Sequence, residues 1–191
     1  NQMNFQRLQR VVHAFNGKTF AEFLHGGPYM RAGFKKISAD DEPRLGSQAA
    51  TVADMEEVAA LFGEYAHWAQ IANFDGLMLH FAHGWLINYF LSPLTNHRTD
   101  EYGGSFENRC RFVWNSIKEI RANIPDTMPL FMRCDAVDEL MPEVMSEQEI
   151  VDFINRSAEL GVDAVDLSRG NSMSFATVYE VPPYLLEPGF N

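Results

Sequence analysis

Four times along the chain a stretch with apolar residues at helical spacing is followed by a short, compact apolar run, and this alternation limits the fold more than any other feature. Leu8, Val11, Val12 and Phe15 mark an amphipathic helix over 5–15 that Gly17 stops, and 19–24 then reads as a strand buried on both faces, running into His25-Gly26-Gly27-Pro28. Thr51, with Asp54 three residues on, opens a second helix, whose stripe of Met55, Val58, Ala59, Phe62, Ala66 and Ala69 runs to about residue 72 before the strand 77–80. Phe106, Cys110, Val113, Trp114, Ile117 and Ile120 keep the period of a third helix ahead of the strand 129–134. Ser146 and Glu149 form a capping box for a fourth, which Gly161 ends before the strand 164–168. Residues 26–50 and 81–105 read as long connections, of the kind that carry binding groups.

The order α-β-α-β-α-β-α-β implies right-handed parallel units, in either an open doubly wound sheet or a closed eight-unit barrel. No G-x-G-x-x-G turn joins a strand to its helix, which weighs against the dinucleotide-binding open sheet. A closed barrel usually takes about 250 residues, and four units are visible in these 191. Either way the expected fold is α/β, and the motifs that follow favour the second form, a partial (β/α)8 TIM barrel.

With 46% hydrophobic and 13% aromatic residues the chain can bury a core. Lys plus Arg number 15 against 26 Asp plus Glu, and the net charge of -11 would repel a nucleic-acid backbone. Two cysteines, Cys110 and Cys134, make neither a disulfide framework nor a metal cluster, which suits a reducing compartment. No run approaches the roughly 20 apolar residues that span a bilayer, and no basic-then-apolar leader opens the chain; a soluble, cytoplasmic protein without a membrane partner is expected.

His80-Phe81-Ala82-His83 ends a predicted strand, and in parallel barrels that end faces the active site. The two imidazoles can donate to a substrate oxygen, ligate a metal, or simply pack. A metal needs a third ligand, and His25 and His97 lie on other loops without ligand spacing, so no metal site is expected.

Beyond the pair the chain reads Gly84-Trp85-Leu86-Ile87-Asn88-Tyr89-Phe90-Leu91-Ser92-Pro93 and then Asn96-His97-Arg98-Thr99-Asp100-Glu101-Tyr102-Gly103-Gly104-Ser105-Phe106-Glu107-Asn108-Arg109. The run from His80 to Phe112 closely resembles the Old Yellow Enzyme family of NADH:flavin oxidoreductases, including its 2-enoate reductase-like members. In that family H-x-A-H/N-G-Y leads to F-L-S-P and to N-x-R-T-D-E-Y-G-G-S-x-E-N-R-x-R-F. More weakly, 18–27, 130–133 and 165–170 resemble the third, fifth and sixth strands of its barrel. The resemblance implies that 1–191 is an incomplete FMN-binding TIM-barrel domain, lacking the first two and last two strands. It implies FMN, reduced by NADH or NADPH, passing hydride to the activated C=C of an α,β-unsaturated carbonyl compound. His80 and His83 match the catalytic pair that holds the carbonyl oxygen, where donors aimed at a growing negative charge favour the transition state. Arg133 matches the arginine at the flavin pyrimidine edge, and His25 lies where it could touch cofactor or substrate. An iron–sulfur cluster occurs only in longer relatives, on cysteines outside this chain, and a homo-oligomer is compatible with the family.

Two residues depart from the family pattern. Trp85 replaces the tyrosine that protonates the substrate; indole is no usable acid, which turns attention to Tyr29, Tyr102 or solvent. Glu22 replaces a cofactor-binding glutamine, and a carboxylate can only accept a hydrogen bond. Both departures motivate an alternative, a silent or truncated barrel fragment with no activity alone. Arg98, Asp100 and Arg109 are expected to hold the long loop by ion pairs.

Overall fold

The computed structural model describes residues 2–135 and 145–168. Its main sheet has four parallel strands in the order β1 (Phe20–Phe23), β4 (Gly76–Phe81), β5 (Leu130–Asp135) and β6 (Ala164–Ser168). Consecutive units stand side by side, each crossing over through a helix: α2 (Val52–Ile71), α4 (Phe106–Ala122) and α5 (Glu147–Glu159), with α1 (Gln2–Ala14) ahead of β1. This is the parallel β/α arrangement expected. No helix among the described residues is long and apolar enough to cross a membrane.

Helix starts lie where the capping residues put them. The Thr51 hydroxyl accepts from Asp54 N–H at 3.2 Å while Asp54 accepts from Thr51 N–H at 2.9 Å, and Ser146 and Glu149 repeat the exchange at 3.2 and 3.0 Å. Each pair satisfies two of the orphan donors that any helix start exposes. Ser105 caps α4 in the simpler form, accepting from Asn108 N–H.

The strands put alternate residues on two faces, and burial follows that period most plainly in β5, while β4 is covered on both sides. On β4, Leu77, Leu79 and Phe81 are fully buried in one core with Val58, Phe62, Cys110, Val113 and Ile117 of α2 and α4, and Leu130, Met132 and Cys134 of β5 join them. Met78, His80, Phe131 and Arg133 take the opposite face, as the two-residue period requires. The expectation of a fully buried strand at 19–24 is corrected. β1 is shorter and half-exposed, with β4 as its one partner among the described residues.

The long connections hold structure that periodicity did not reveal. Within 26–50 lie a 3-10 turn (Gly27–Tyr29) and a small parallel pair, β2 (Ile37–Ser38) and β3 (Gln48–Ala49). Within 81–105 lies α3 (Leu86–Leu91), every residue of which is buried. Six residues are too few for a helix to persist in water, so α3 depends on its surroundings. Asn96 Nδ2 donates to Phe90 O at 2.7 Å, and Arg109 Nε donates to Leu91 O at 2.9 Å, satisfying carbonyls the helix end leaves open. Gly27, at φ +57°, lies so close that a Cβ there would come within 2.9 Å of Leu86 Cα.

The expected ion pairs of this loop are partly redrawn. Arg98 does pair with Asp100, and it also donates to Ala39 O and Ala50 O at 3.0 and 2.7 Å. Arg109 instead reaches Gly104 O at 2.7 Å and Glu149 of the next unit at 2.8 Å. Because Arg109 is buried, its loss strands several acceptors at once. Arg109→Met is expected to cost about 2–4 kcal/mol in urea unfolding; a loss below about 1 kcal/mol would show that the loop holds without it.

Candidate active site

The carboxyl-terminal ends of the four strands bring together one polar cluster on the face away from the helices. His80 is in register with Arg133, and Arg133 with Asp166, so these side chains form one row across β4, β5 and β6. Glu22 of β1 closes the row: its Oε1 lies 2.8 Å from His80 Nδ1 and 3.1 Å from Arg133 Nη1. Arg133 holds Asp166 Oδ2 with Nε at 2.8 Å and Nη2 at 2.7 Å. Below, Phe20 and Phe131 stack with ring centroids 4.7 Å apart, giving an apolar layer under a charged one. Layered side chains of this kind fill barrel interiors.

His83 stands just past the end of β4, on a backbone at φ +65°. That left-handed conformation is uncommon outside glycine, though less so for histidine. Asp135, one pleat beyond Arg133 on β5, fixes it by accepting His83 N–H at 3.1–3.2 Å while also holding Asn88 Nδ2 at 2.8 Å. The turn carries the imidazole back over the sheet, where His83 Nδ1 meets His80 Nε2 at 3.1 Å and His83 Nε2 meets Ser168 Oγ at 2.7 Å. Burial holds the His83 pKa below the usual histidine range, helped by His80 and Arg133 and opposed by Glu22 and Asp166.

Four of the five site residues read from sequence thus meet in one network: Glu22, His80, His83 and Arg133. His25 does not join it among the described residues. Its Nδ1 accepts from Gly27 N–H at 3.1 Å, its pKa is lowered by burial, and with Glu22 it lines a separate cavity of about 430 Å³ against α2. Asp135, Asp166 and Asn88 are members that sequence reasoning did not single out. The two-residue alternation from Arg133 to Asp135 was the signal for the first. Ser168, at the end of β6, joins the network through its hydroxyl.

Trp85 packs edge-on against Tyr29, with centroids 5.7 Å apart, and the Tyr29 hydroxyl lies 3.4 Å from that of Tyr89. Tyr102 is buried away from this corner, its carbonyl held by Asn96, so Tyr29 is the one of the two alternative hydroxyls set beside Trp85. Burial pushes the Tyr89 hydroxyl well above the usual tyrosine range, with help from Tyr29. Cys110 and Cys134 are free and buried, and the Cys134 thiol is pushed up to about 12, so neither offers a thiolate.

A parallel β/α sheet with its polar residues gathered at the carboxyl ends is the arrangement in which barrel enzymes build their sites. The chain belongs to the NADH:flavin oxidoreductase / NADH oxidase family, whose model matches residues 2–183. It is 35% identical to an NADH oxidase of Thermoanaerobacter brockii over 96% of this chain and 28% of that protein. It is 47% identical to an NADPH dehydrogenase of Geobacillus sp. (strain WCH70) over 63% of this chain and 34% of that protein. An Old Yellow Enzyme homologue from Zymomonas mobilis superposes with a TM-score of 0.77 at 24% identity, over 88% of this chain and 52% of that one. The chain thus spans less than half the length of the curated relatives it matches, between 28% and 49%. The family uses FMN and a nicotinamide nucleotide. Glu22 and Arg133 suit such a ring: side by side they offer an acceptor and a donor, as an edge of alternating N–H and carbonyl groups requires.

Because His83 carries a lowered pKa, it is expected to titrate below the ordinary histidine value, remaining neutral at pH 7. Replacing Arg133 by Met removes one repelling charge and is expected to raise the His83 midpoint partway back, read from its ring proton resonances against pH. An unchanged or lower midpoint would mean the cation is screened from the imidazole.

Proposed function

We propose that residues 1–191 form the middle of an FMN-dependent oxidoreductase barrel, an incomplete FMN-binding domain without its first two and last two strands. What supports the domain reading is the run of four consecutive parallel units in the sheet together with the family match over residues 2–183. The activity is hydride transfer from NADH or NADPH, through FMN, to the activated C=C of an α,β-unsaturated carbonyl compound. FMN, when bound, supplies the hydride chemistry. The chain supplies the rest: Arg133 and Glu22 hold the cofactor's polar ring edge, and His80 and His83 take the substrate's carbonyl oxygen, while His25, turned into its own cleft, takes no part. A small-molecule partner and a cytoplasmic setting go with this reading.

The observation that carries it is the Glu22–Arg133 contact lying directly beside the His80–His83 pair, a cofactor edge next to an oxygen site. Glu22 adds negative charge beside a ring that gains electrons, while Arg133 offsets it. The second reading, a barrel without activity, is favoured by Glu22 and by Trp85 where the family's acid stands. FMN titration of the full barrel, followed by flavin fluorescence, separates them. Arg133→Ala is expected to weaken binding by roughly tenfold or more, about 1.4 kcal/mol, and Glu22→Gln to tighten it. Absence of binding by all three proteins would leave the silent barrel.

A further inference from the structure

The polar cluster has a direction. Glu22, His80, His83 and Ser168 form one unbroken hydrogen-bonded chain through both nitrogens of each imidazole, with links of 2.8, 3.1 and 2.7 Å. An ionised carboxylate only accepts, so the proton between Glu22 and His80 belongs to His80 Nδ1. A neutral His80 then has a bare Nε2, which accepts from His83 Nδ1–H. A neutral His83 in turn has a bare Nε2, which accepts from the Ser168 hydroxyl. Each link follows from the one before, and the carboxylate at the far end decides all of them.

We propose that Glu22 is a positioning residue that polarises this chain, so that His83 meets a ligand oxygen as an acceptor and can donate to a carbonyl only after the site has taken up one proton. The inference rests on the reading of His80 and His83 as the oxygen-binding pair and gives that pair a ligand preference. A ligand bringing its own O–H, such as an alcohol, a phenol or an undissociated acid, replaces the Ser168 hydroxyl with no change of protonation. A bare carbonyl needs a proton from solvent on His83 Nε2, which then donates to the carbonyl oxygen while Nδ1–H stays on His80. The charged groups around His83 are Glu22 on β1, Arg133 and Asp135 on β5 and Asp166 on β6. Burial, the neighbouring His80 and the Arg133 cation hold the His83 pKa down against Glu22 and Asp166, in line with the acceptor state. Ser168 is not the controlling end, because a hydroxyl can donate or accept and would follow either polarity.

The test is nitrogen NMR of the full-length protein labelled at histidine, which distinguishes protonated from bare ring nitrogens without any turnover. At neutral pH both Nδ1 atoms are expected to carry the proton and both Nε2 atoms to be bare. Glu22→Leu is expected to release the pattern toward Nε2–H forms, Glu22→Asp to restore it, and Ser168→Ala to leave it alone. A protonated Nε2 on either histidine of the unaltered protein, or a wild-type pattern in Glu22→Leu, overturns the proposal, and the first of these needs no variant to fold. Cyclohexenone then probes the linkage: its affinity is expected to fall about tenfold per pH unit above neutrality and to lose that slope in Glu22→Leu. A pH-independent affinity in the unaltered protein overturns the proton uptake. Cyclohexenone binding that leaves both imidazoles unperturbed, with the tautomers as stated, defeats the carbonyl-holding reading and leaves the polarised chain standing.

Discussion

Three side chains of β4, Leu77, Leu79 and Phe81, have no exposed surface at all, and their burial under α2 and α4 fixes nearly everything else about this molecule. A strand whose alternate residues are committed to the helix layer has no freedom of register, since a slip by one would send His80 into the core and Leu79 into the site. β5 is held to the same phase by Leu130, Met132 and Cys134. The row His80–Arg133–Asp166 is therefore a by-product of apolar packing on the opposite side of the sheet. The chemistry inherits its precision from a layer it never touches.

On the inner face the balance is electrostatic. One guanidinium stands between two carboxylates, Glu22 and Asp166, and the pair of imidazoles continues from one of them. None of these groups is deeply buried except His80, so each ion pair alone would be worth little in water-like surroundings. Their value lies in mutual orientation: Glu22 is shared by Arg133 and His80 through the same oxygen, and neither can shift without losing it. That arrangement puts the substituted glutamate between Arg133 and the imidazole pair, the two groups to which the proposed function gives the cofactor edge and the substrate oxygen.

Local signals in the sequence carried the elements with their own end markers. The boxes at Thr51–Asp54 and Ser146–Glu149, the cap at Ser105 and the apolar stripes behind them are short-range facts that any context leaves intact. α3 was hidden because Leu86–Leu91 is buried all round, Asn88 included, which leaves no apolar period to detect, and because its stability comes from Asn96 and Arg109 rather than from itself. His80, His83, Arg133 and Glu22 were legible through the family resemblance. Asp135 and Asp166 were not, since a carboxylate at a strand end becomes meaningful only once the neighbouring strands are in register. His25 shows the converse: its position near a strand end suggested membership, and a turn stabilised by its own Nδ1 directs it to a different cleft.

The contact between Gly27 and the backbone of Leu86 has a wider meaning for how this scaffold can be altered. It fastens the loop after β1 to the loop after β4, and Leu86 N–H donates to His25 O at 3.2 Å across the same seam. Tyr29 and Trp85, one from each side, meet above it. The rim of the site is consequently a single module with two chain origins. Anyone transplanting specificity between relatives of this barrel would have to move both loops together, because a foreign segment on either side meets a surface shaped for its native companion.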